Sequence, residues 1–340
     1  MPALSVSSFT PSSPPLSSAP PALSELARHV AEGLVRNPKT LSSMYFYDDA
    51  GSRLFQQIME LPEYYPTRTE LAIFRVHGAA IVAALGGGEG AAHEFSLVEL
   101  GAGDGAKTKL LLRELLATAP GFTYAPVDIS AGAMSGLVQA LGDELPALHV
   151  VPVVETYAEA LRQLPARPGR KAVLFLGSNI GNFGPAEQLD FLRQLAAPLG
   201  PADRLLIGFD LRKDPRRIRA AYDDAQGVTA AFNLNLLSRL NRELGADFDL
   251  TYWQHYTDYN PLNGAVRSFL VSTRAQSVHL VALGLTVEFA AWEAIHTENS
   301  YKFSQAQIVA LAAEAGLRVL QVFSDAAGDF ADVVLAARNA

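Results

Sequence analysis

Phe95-Ser-Leu-Val-Glu-Leu-Gly101-Ala-Gly103-Asp-Gly105-Ala-Lys107-Thr-Lys109 is the stretch that decides the fold. An apolar run ends in Glu99-Leu100. Three glycines alternate behind it, and a periodic helix opens at Thr108. This is strand, tight turn, helix. Glycine permits φ > 0 and lets a ligand approach the backbone. The helix start offers free N–H groups and a positive dipole end. The spacing G-x-G-x-G differs from the dinucleotide pattern G-x-G-x-x-G. With Glu99 at the strand end it suits S-adenosylmethionine better than NAD. The expected cofactor residues here are Glu99, Gly101, Gly103 and Lys107.

The next strand sharpens that reading. Tyr124-Ala-Pro-Val-Asp128-Ile-Ser130 carries an acid at its tip, placed to accept both ribose hydroxyls of an adenosine. Ser130 reads as the N-cap of the following helix. Further strands are expected at His149–Val154, Lys171–Gly177 and Arg204–Phe209, separated by helices. That alternation makes a mostly parallel α/β sheet. The fourth strand runs into Gly177-Ser-Asn-Ile-Gly-Asn182, a polar turn at the sheet edge where α/β proteins bind ligands. Asn182 there offers an amide to a substrate carboxylate. Leu317–Ser324 and Phe330–Arg338 read as a closing hairpin.

The flanking segments differ in texture. Residues 1–22, rich in Ser, Pro and Ala, read as a disordered leader. Helices and Pro-punctuated aromatic loops occupy 23–72. After Asp210 come helical stretches, then β-like segments at Phe248–Tyr259, Ala265–Arg274 and Thr286–Thr297. Residues 23–72 plus 213–300 are therefore expected to form a mixed α+β lobe over the sheet. Residues 73–212 plus 301–340 are expected to form the cofactor domain.

Composition excludes several function classes. The chain has 340 residues, 49% of them hydrophobic, a net charge of −8 and no basic patch, so nucleic acid is not expected. It has no cysteine, which rules out disulfides, thiolate nucleophiles and Fe–S clusters and fits a cytoplasmic protein. No apolar run is long enough for a membrane span. His296, Glu298 and Ser300 alternate on a β-like segment and are expected to share one face. No third metal ligand stands at a recognisable spacing, so no metal is expected.

Several strings together resemble the histidine-specific methyltransferase family across about residues 38–338. They include Tyr47-Asp-Asp-Ala-Gly-Ser-Arg-Leu-Phe, Leu61-Pro-Glu-Tyr-Tyr-Pro-Thr-Arg-Thr-Glu70, Glu99-Leu-Gly-Ala-Gly, Ala221-Tyr-Asp-Asp-Ala-Gln-Gly-Val and His296-Thr-Glu-Asn-Ser-Tyr-Lys-Phe303. The resemblance implies a class I S-adenosylmethionine methyltransferase fold, Rossmann-like with a seven-stranded sheet, carrying a separate substrate lobe. It implies Nα-trimethylation of L-histidine, a free amino acid, to hercynine, in ergothioneine biosynthesis; a monomer is expected. It places Gly101, Lys107 and Asp128 on the cofactor. Tyr64, Asn182 and Tyr222 would hold the substrate's α-carboxylate and amine, and Tyr47 would sit by the amine. Glu298 and Ser300 would hydrogen-bond the imidazole.

Two departures stand out. Ser268 replaces a methionine found in characterised relatives, which alters the imidazole side of the pocket. The loop near the adenine reads Val154-Glu155-Thr156-Tyr157, with Tyr157 as the aromatic expected beside the cofactor. Two alternatives stay open: an Nα-methyltransferase for another free amino acid, and a non-catalytic protein that senses a metabolite.

Overall fold

The computed structural model describes residues 24–86, 95–118, 121–167 and 169–338. The leader expected at 1–22 lies outside the described residues.

Phe95–Leu100 is buried at every position. A strand covered on both faces belongs in the middle of a parallel sheet. The main sheet runs Leu317–Ser324, Phe330–Ala337, Arg204–Asp210, Arg170–Phe175, Phe95–Leu100, Thr123–Asp128, His149–Val150. Val153–Val154 pairs with Thr123–Asp128 as well. The expected single strand over 149–154 is thus broken in two. Pro152 lies in the break and has no N–H to give the ladder. The seven expected strands appear as eight, in seven positions. All are parallel except Phe330–Ala337, antiparallel to both neighbours.

The strand order reverses between Phe95–Leu100 and Arg170–Phe175. At that switch point the carboxyl ends of the strands open a crevice. The turns at Gly101–Gly105 and Gly177–Asn182 and the tip at Asp128 all lie at this edge. Ser130 caps its helix as expected, and Ser24 and Ser304 do likewise, each accepting an N–H three residues on.

A second sheet pairs Lys39–Thr40, Ala294–Tyr301, Ala265–Ser272 and Trp253–Asn260. The segment expected as one strand at 286–297 is two: Leu285–Phe289 closes a hairpin with Gln276–Leu280, and Ala294–Tyr301 joins the sheet. Trp292, with φ +68°, turns the chain between them. Leu26, Phe46, Ile58, Phe232, Leu236, Leu270 and Ile295 share one core cluster. The N-terminal region and the inserted segment therefore bury apolar surface together. The helix Tyr65–Leu85 is continuous across the boundary expected at residue 72. It opens within the Pro-punctuated aromatic string, with Pro66 in its first turn, where the missing N–H costs nothing.

Candidate functional site

The glycine turn is pinned from the next strand. The backbone N–H groups of Gly101 and Ala102 both donate to the Val127 carbonyl, at 2.8 and 3.1 Å. Asp128 then accepts the N–H of Gly103 at 3.1 Å on one oxygen and that of Ser130 at 2.9 Å on the other. A carboxylate offers about four lone-pair sites, so two remain for hydroxyl donors. Gly101 has φ +77°, and a Cβ built on it would stand 2.6 Å from the Tyr157 hydroxyl. Tyr157 thus closes over the turn, its ring packed edge-on to Phe175. Burial, then the nearby Asp128 and Glu99, push its phenol well above the ordinary range. These residues fit an adenosine-bearing cofactor: a turn bare of side chains, an acid with spare lone pairs and an aromatic beside them.

Two expected cofactor residues are partly spent elsewhere. Glu99 is buried, and its oxygens accept from Thr108 Oγ1 at 2.6 Å and from the Tyr124 hydroxyl. Burial raises its pKa to about 7 against the pull of those two donors. Through these two bonds Glu99 ties the strand end to the helix start at Thr108 and to the neighbouring strand at Tyr124. Lys107 pairs with buried Glu70, whose Oε1 also accepts the Gly177 N–H at 2.8 Å. Burial alone would lower the Lys107 pKa, but Glu70 more than offsets it. Lys107 and Glu70 thereby tie the glycine turn to the Gly177 turn.

The other expected residues gather on the lobe side. Glu298 is a common electrostatic neighbour of Tyr47, Tyr64 and Tyr222. Burial lifts its carboxyl to about 7, opposed by Lys302. Burial is also the first cause that holds all three phenols well above their usual range. Tyr47 counts Tyr157 among its neighbours as well. Tyr47 is 40% exposed as a residue. The rings form a basket: Tyr47 lies 5.5 Å from Phe55 and 5.6 Å from Phe232, and Tyr64 lies 6.3 Å from Tyr222.

Asn182 ends the one-turn helix Asn179–Asn182, which presses on the Ala294–Tyr301 strand. A Cβ on Gly181 would stand 2.7 Å from the Tyr301 carbonyl. Ser268 lies directly across from Glu298 and from Thr257, and is 1% exposed. Directly opposed residues share a face of the sheet, so Ser268 is buried beside Glu298.

One expectation about this strand fails. His296 pairs with Phe269 and Glu298 with Ser268, so Thr297 is an extra residue in the ladder. A bulge of this kind breaks the two-residue alternation. Glu298 and Ser300 stay on the inner face. His296 moves to the outer one, 5.4 Å from the Phe269 ring, with Nε2 at 3.1 Å from Asn299 Oδ1. Among the described residues no group of three or more acidic or histidine side chains is placed to hold a metal. No described helix is long and apolar enough to cross a membrane.

Lys302 and Asp210 were missed. Lys302 is 1% exposed, and its ammonium reaches Asp210 Oδ2 at 2.8 Å, the Tyr222 hydroxyl at 2.7 Å and Ser300 Oγ at 2.8 Å. Asp210 also accepts from Tyr65 at 2.9 Å and pairs with Lys213. The alternation Glu298, Ser300, Lys302 was available as a signal.

A family model described as histidine-specific methyltransferase, SAM-dependent, matches residues 26–337. A histidine N-alpha-methyltransferase of Mycolicibacterium smegmatis is 45% identical over 90% of this chain and 92% of its own length. That of Mycobacterium tuberculosis is 41% identical over the same shares. A 4-dimethylallyltryptophan N-methyltransferase of Aspergillus fumigatus is 26% identical, over 88% of this chain and 90% of its own.

Proposed function

Since the chain belongs to the SAM-dependent, histidine-specific methyltransferase family, we propose that it transfers methyl groups from S-adenosylmethionine to the α-amine of L-histidine, three in turn, giving hercynine. One observation carries this reading. The one-turn helix Asn179–Asn182 touches both sides: the Asn179 amide lies 3.6 Å from the Cβ position of Gly101, and Gly181 packs against the Tyr301 carbonyl at the end of the strand that carries Glu298. A small amino acid held by the lobe would then lie against the cofactor end of the sheet.

The chemistry asks little of covalent catalysis. When bound, S-adenosylmethionine supplies a methyl group on a sulfonium, open to in-line attack by a neutral amine. The chain's own task is alignment, which can contribute about 7–11 kcal/mol. Tyr64, Asn182 and Tyr222 are assigned to the α-carboxylate and amine, Glu298 and Ser300 to the imidazole. Glu298 accepts an imidazole N–H when ionised, and its carboxyl at about 7 is poised to be so. Tyr47 is assigned to the amine. Its raised pKa makes it a neutral hydroxyl at working pH. It can pass a proton along but cannot rest as a phenolate. Successive methylation removes N–H donors and leaves a bulky cation, which aromatic faces accept at about 0.5–2 kcal/mol each.

A second reading keeps the reaction and changes the amino acid. Ser268, small and buried beside Glu298, favours it by leaving the imidazole wall without a large side chain. The sensor alternative falls with membership of an enzyme family. Mass spectrometry of histidine incubated with the protein and S-adenosylmethionine tests the first reading. Trimethylated histidine is expected. Inert histidine beside another methylated amino acid would give the second reading the field.

A further inference from the structure

The ammonium of Lys302 has three N–H donors, and the structure gives each a partner: Asp210 Oδ2, the Tyr222 hydroxyl and Ser300 Oγ. Tyr222 and Ser300 are also 2.8 Å from one another, so one hydroxyl donates to the other. Each therefore already accepts from Lys302, and one of the two has also given its proton to its neighbour. One O–H is left over whichever way that bond runs. Among the described residues neither hydroxyl has a further hydrogen-bond partner. A hydroxyl proton without an acceptor in a half-buried wall is costly. It needs an acceptor from outside the protein.

We infer that Lys302, anchored by Asp210, is a positioning residue that makes Tyr222 an obligate donor, with Ser300 giving its proton to Tyr222 and keeping a lone pair for an imidazole N–H, so that the pocket selects an amino acid with a free α-carboxylate at Tyr222. The inference rests on the proposed reading of the site as one for a free amino acid. Were Lys302 absent, the two hydroxyls would satisfy each other and either could accept as well as donate. The pocket would then treat a carboxylate and an alcohol more alike. Asp210 ends the core strand Arg204–Asp210, and Lys302 follows the lobe strand Ala294–Tyr301. The ion pair therefore also fixes the lobe's donor relative to the cofactor crevice. Tyr222 is held at its other end too, where its carbonyl accepts from Thr257 Oγ1 at 3.1 Å.

The test compares L-histidine with L-histidinol, whose carboxylate is replaced by a hydroxymethyl group. The wild-type kcat/KM should favour histidine by about 100-fold or more, the size expected when a site built around one hydrogen-bonding group loses it. Lys302→Met should cut that ratio to below about tenfold, mainly through the KM of histidine, while the Kd of S-adenosylhomocysteine stays within about twofold. Adding Lys302→Met to Tyr222→Phe/Ser300→Ala should cost little more, since the hydroxyls through which it acts are gone. A preserved ratio in Lys302→Met, or an additive loss in the triple variant, overturns the inference. Should Lys302→Met fail to bind S-adenosylhomocysteine and so fail to fold, the Tyr222→Phe/Ser300→Ala ratio decides: collapse supports the inference and persistence refutes it. If the wild type methylates another amino acid and leaves histidine alone, the substrate reading has failed. The same ratios, taken with that amino acid and its amino alcohol, then judge Lys302 separately.

Discussion

The Tyr157 hydroxyl stands where a side chain on Gly101 would begin, 2.6 Å from the Cβ position. Two demands therefore meet at Gly101: a left-handed φ and a closed space overhead. Gly101→Ala is expected to weaken S-adenosylhomocysteine binding by at least about tenfold and to lose roughly 1–2 kcal/mol of stability from the backbone alone. The added methyl also meets the phenol oxygen, while the ring carbon behind it is at 3.6 Å. Gly101→Ala combined with Tyr157→Phe should recover part of the binding. Calorimetric titration checks both. No recovery would mean that the strained φ alone accounts for the loss.

Glu298 gives a prediction with a sign. Its ordinary value is 4.5 and in the fold it titrates at about 7. Between those values the folded chain keeps a proton that the unfolded chain releases. Stability therefore falls as pH rises from about 4.5 to about 7 and stays lowered above. Glu298→Gln removes the slope. The ligand-free variant should match wild type near pH 4.5 and exceed it at pH 8, by of order 1–3 kcal/mol. Its histidine KM should rise about 100-fold with little change in cofactor affinity. Melting curves across pH check the first part. An offset independent of pH would show that Glu298 is not the titrating group.

Legibility in the sequence followed the range of the interactions. The glycine turn, Asp128 and the caps are local patterns, and each is where its string puts it. The break at Pro152 was local too but hidden inside an apolar run. Thr297 shows a limit of another kind: a bulge is set by pairing with a distant strand, so counting by twos sent His296 to the wrong face. Glu99 and Lys107 stand at the turn as their string puts them, but their partners Tyr124, Thr108 and Glu70 come from the fold, and the pairing with Glu70 spans 37 positions. Lys302 was passed over because a lysine reads as a surface residue until Asp210, ninety-odd positions away, is folded beside it.

Asp332 is wholly buried, and among the described residues no donor reaches either of its oxygens. Burial first, and the adjacent Glu70 next, push its pKa well above the ordinary range. The folded state holds its proton where the unfolded chain would release it. Its contribution therefore turns unfavourable as pH rises above the usual carboxylate value of 3.8. Asp332→Asn keeps the shape, removes the titration and can donate toward Glu70. A rise in Tm of about 2–6 °C at pH 8, shrinking toward pH 4, is expected by differential scanning calorimetry. A lower Tm at pH 8 would mean that the carboxylate is ionised and paired.

The bulge residue is the last point of leverage. Thr297 Oγ1 lies 3.1 Å from Asn233 Oδ1 and 3.0 Å from the Ser268 carbonyl, bridging the helix Val228–Leu244 to the strand behind Glu298. Thr297→Val preserves the shape and removes the only donor in that bridge, leaving two buried acceptors facing a methyl group. The expected cost is about 1–3 kcal/mol. Because Glu298 is the next residue in the strand, relaxation of the bulge should carry its carboxyl with it. The histidine KM should therefore rise several-fold while S-adenosylhomocysteine binding, governed by the glycine turn and Asp128, stays put. Thr297→Ser, which keeps the donor, should restore most of the KM. If Thr297→Val lowers stability without touching the KM, the bulge supports the lobe but does not aim Glu298.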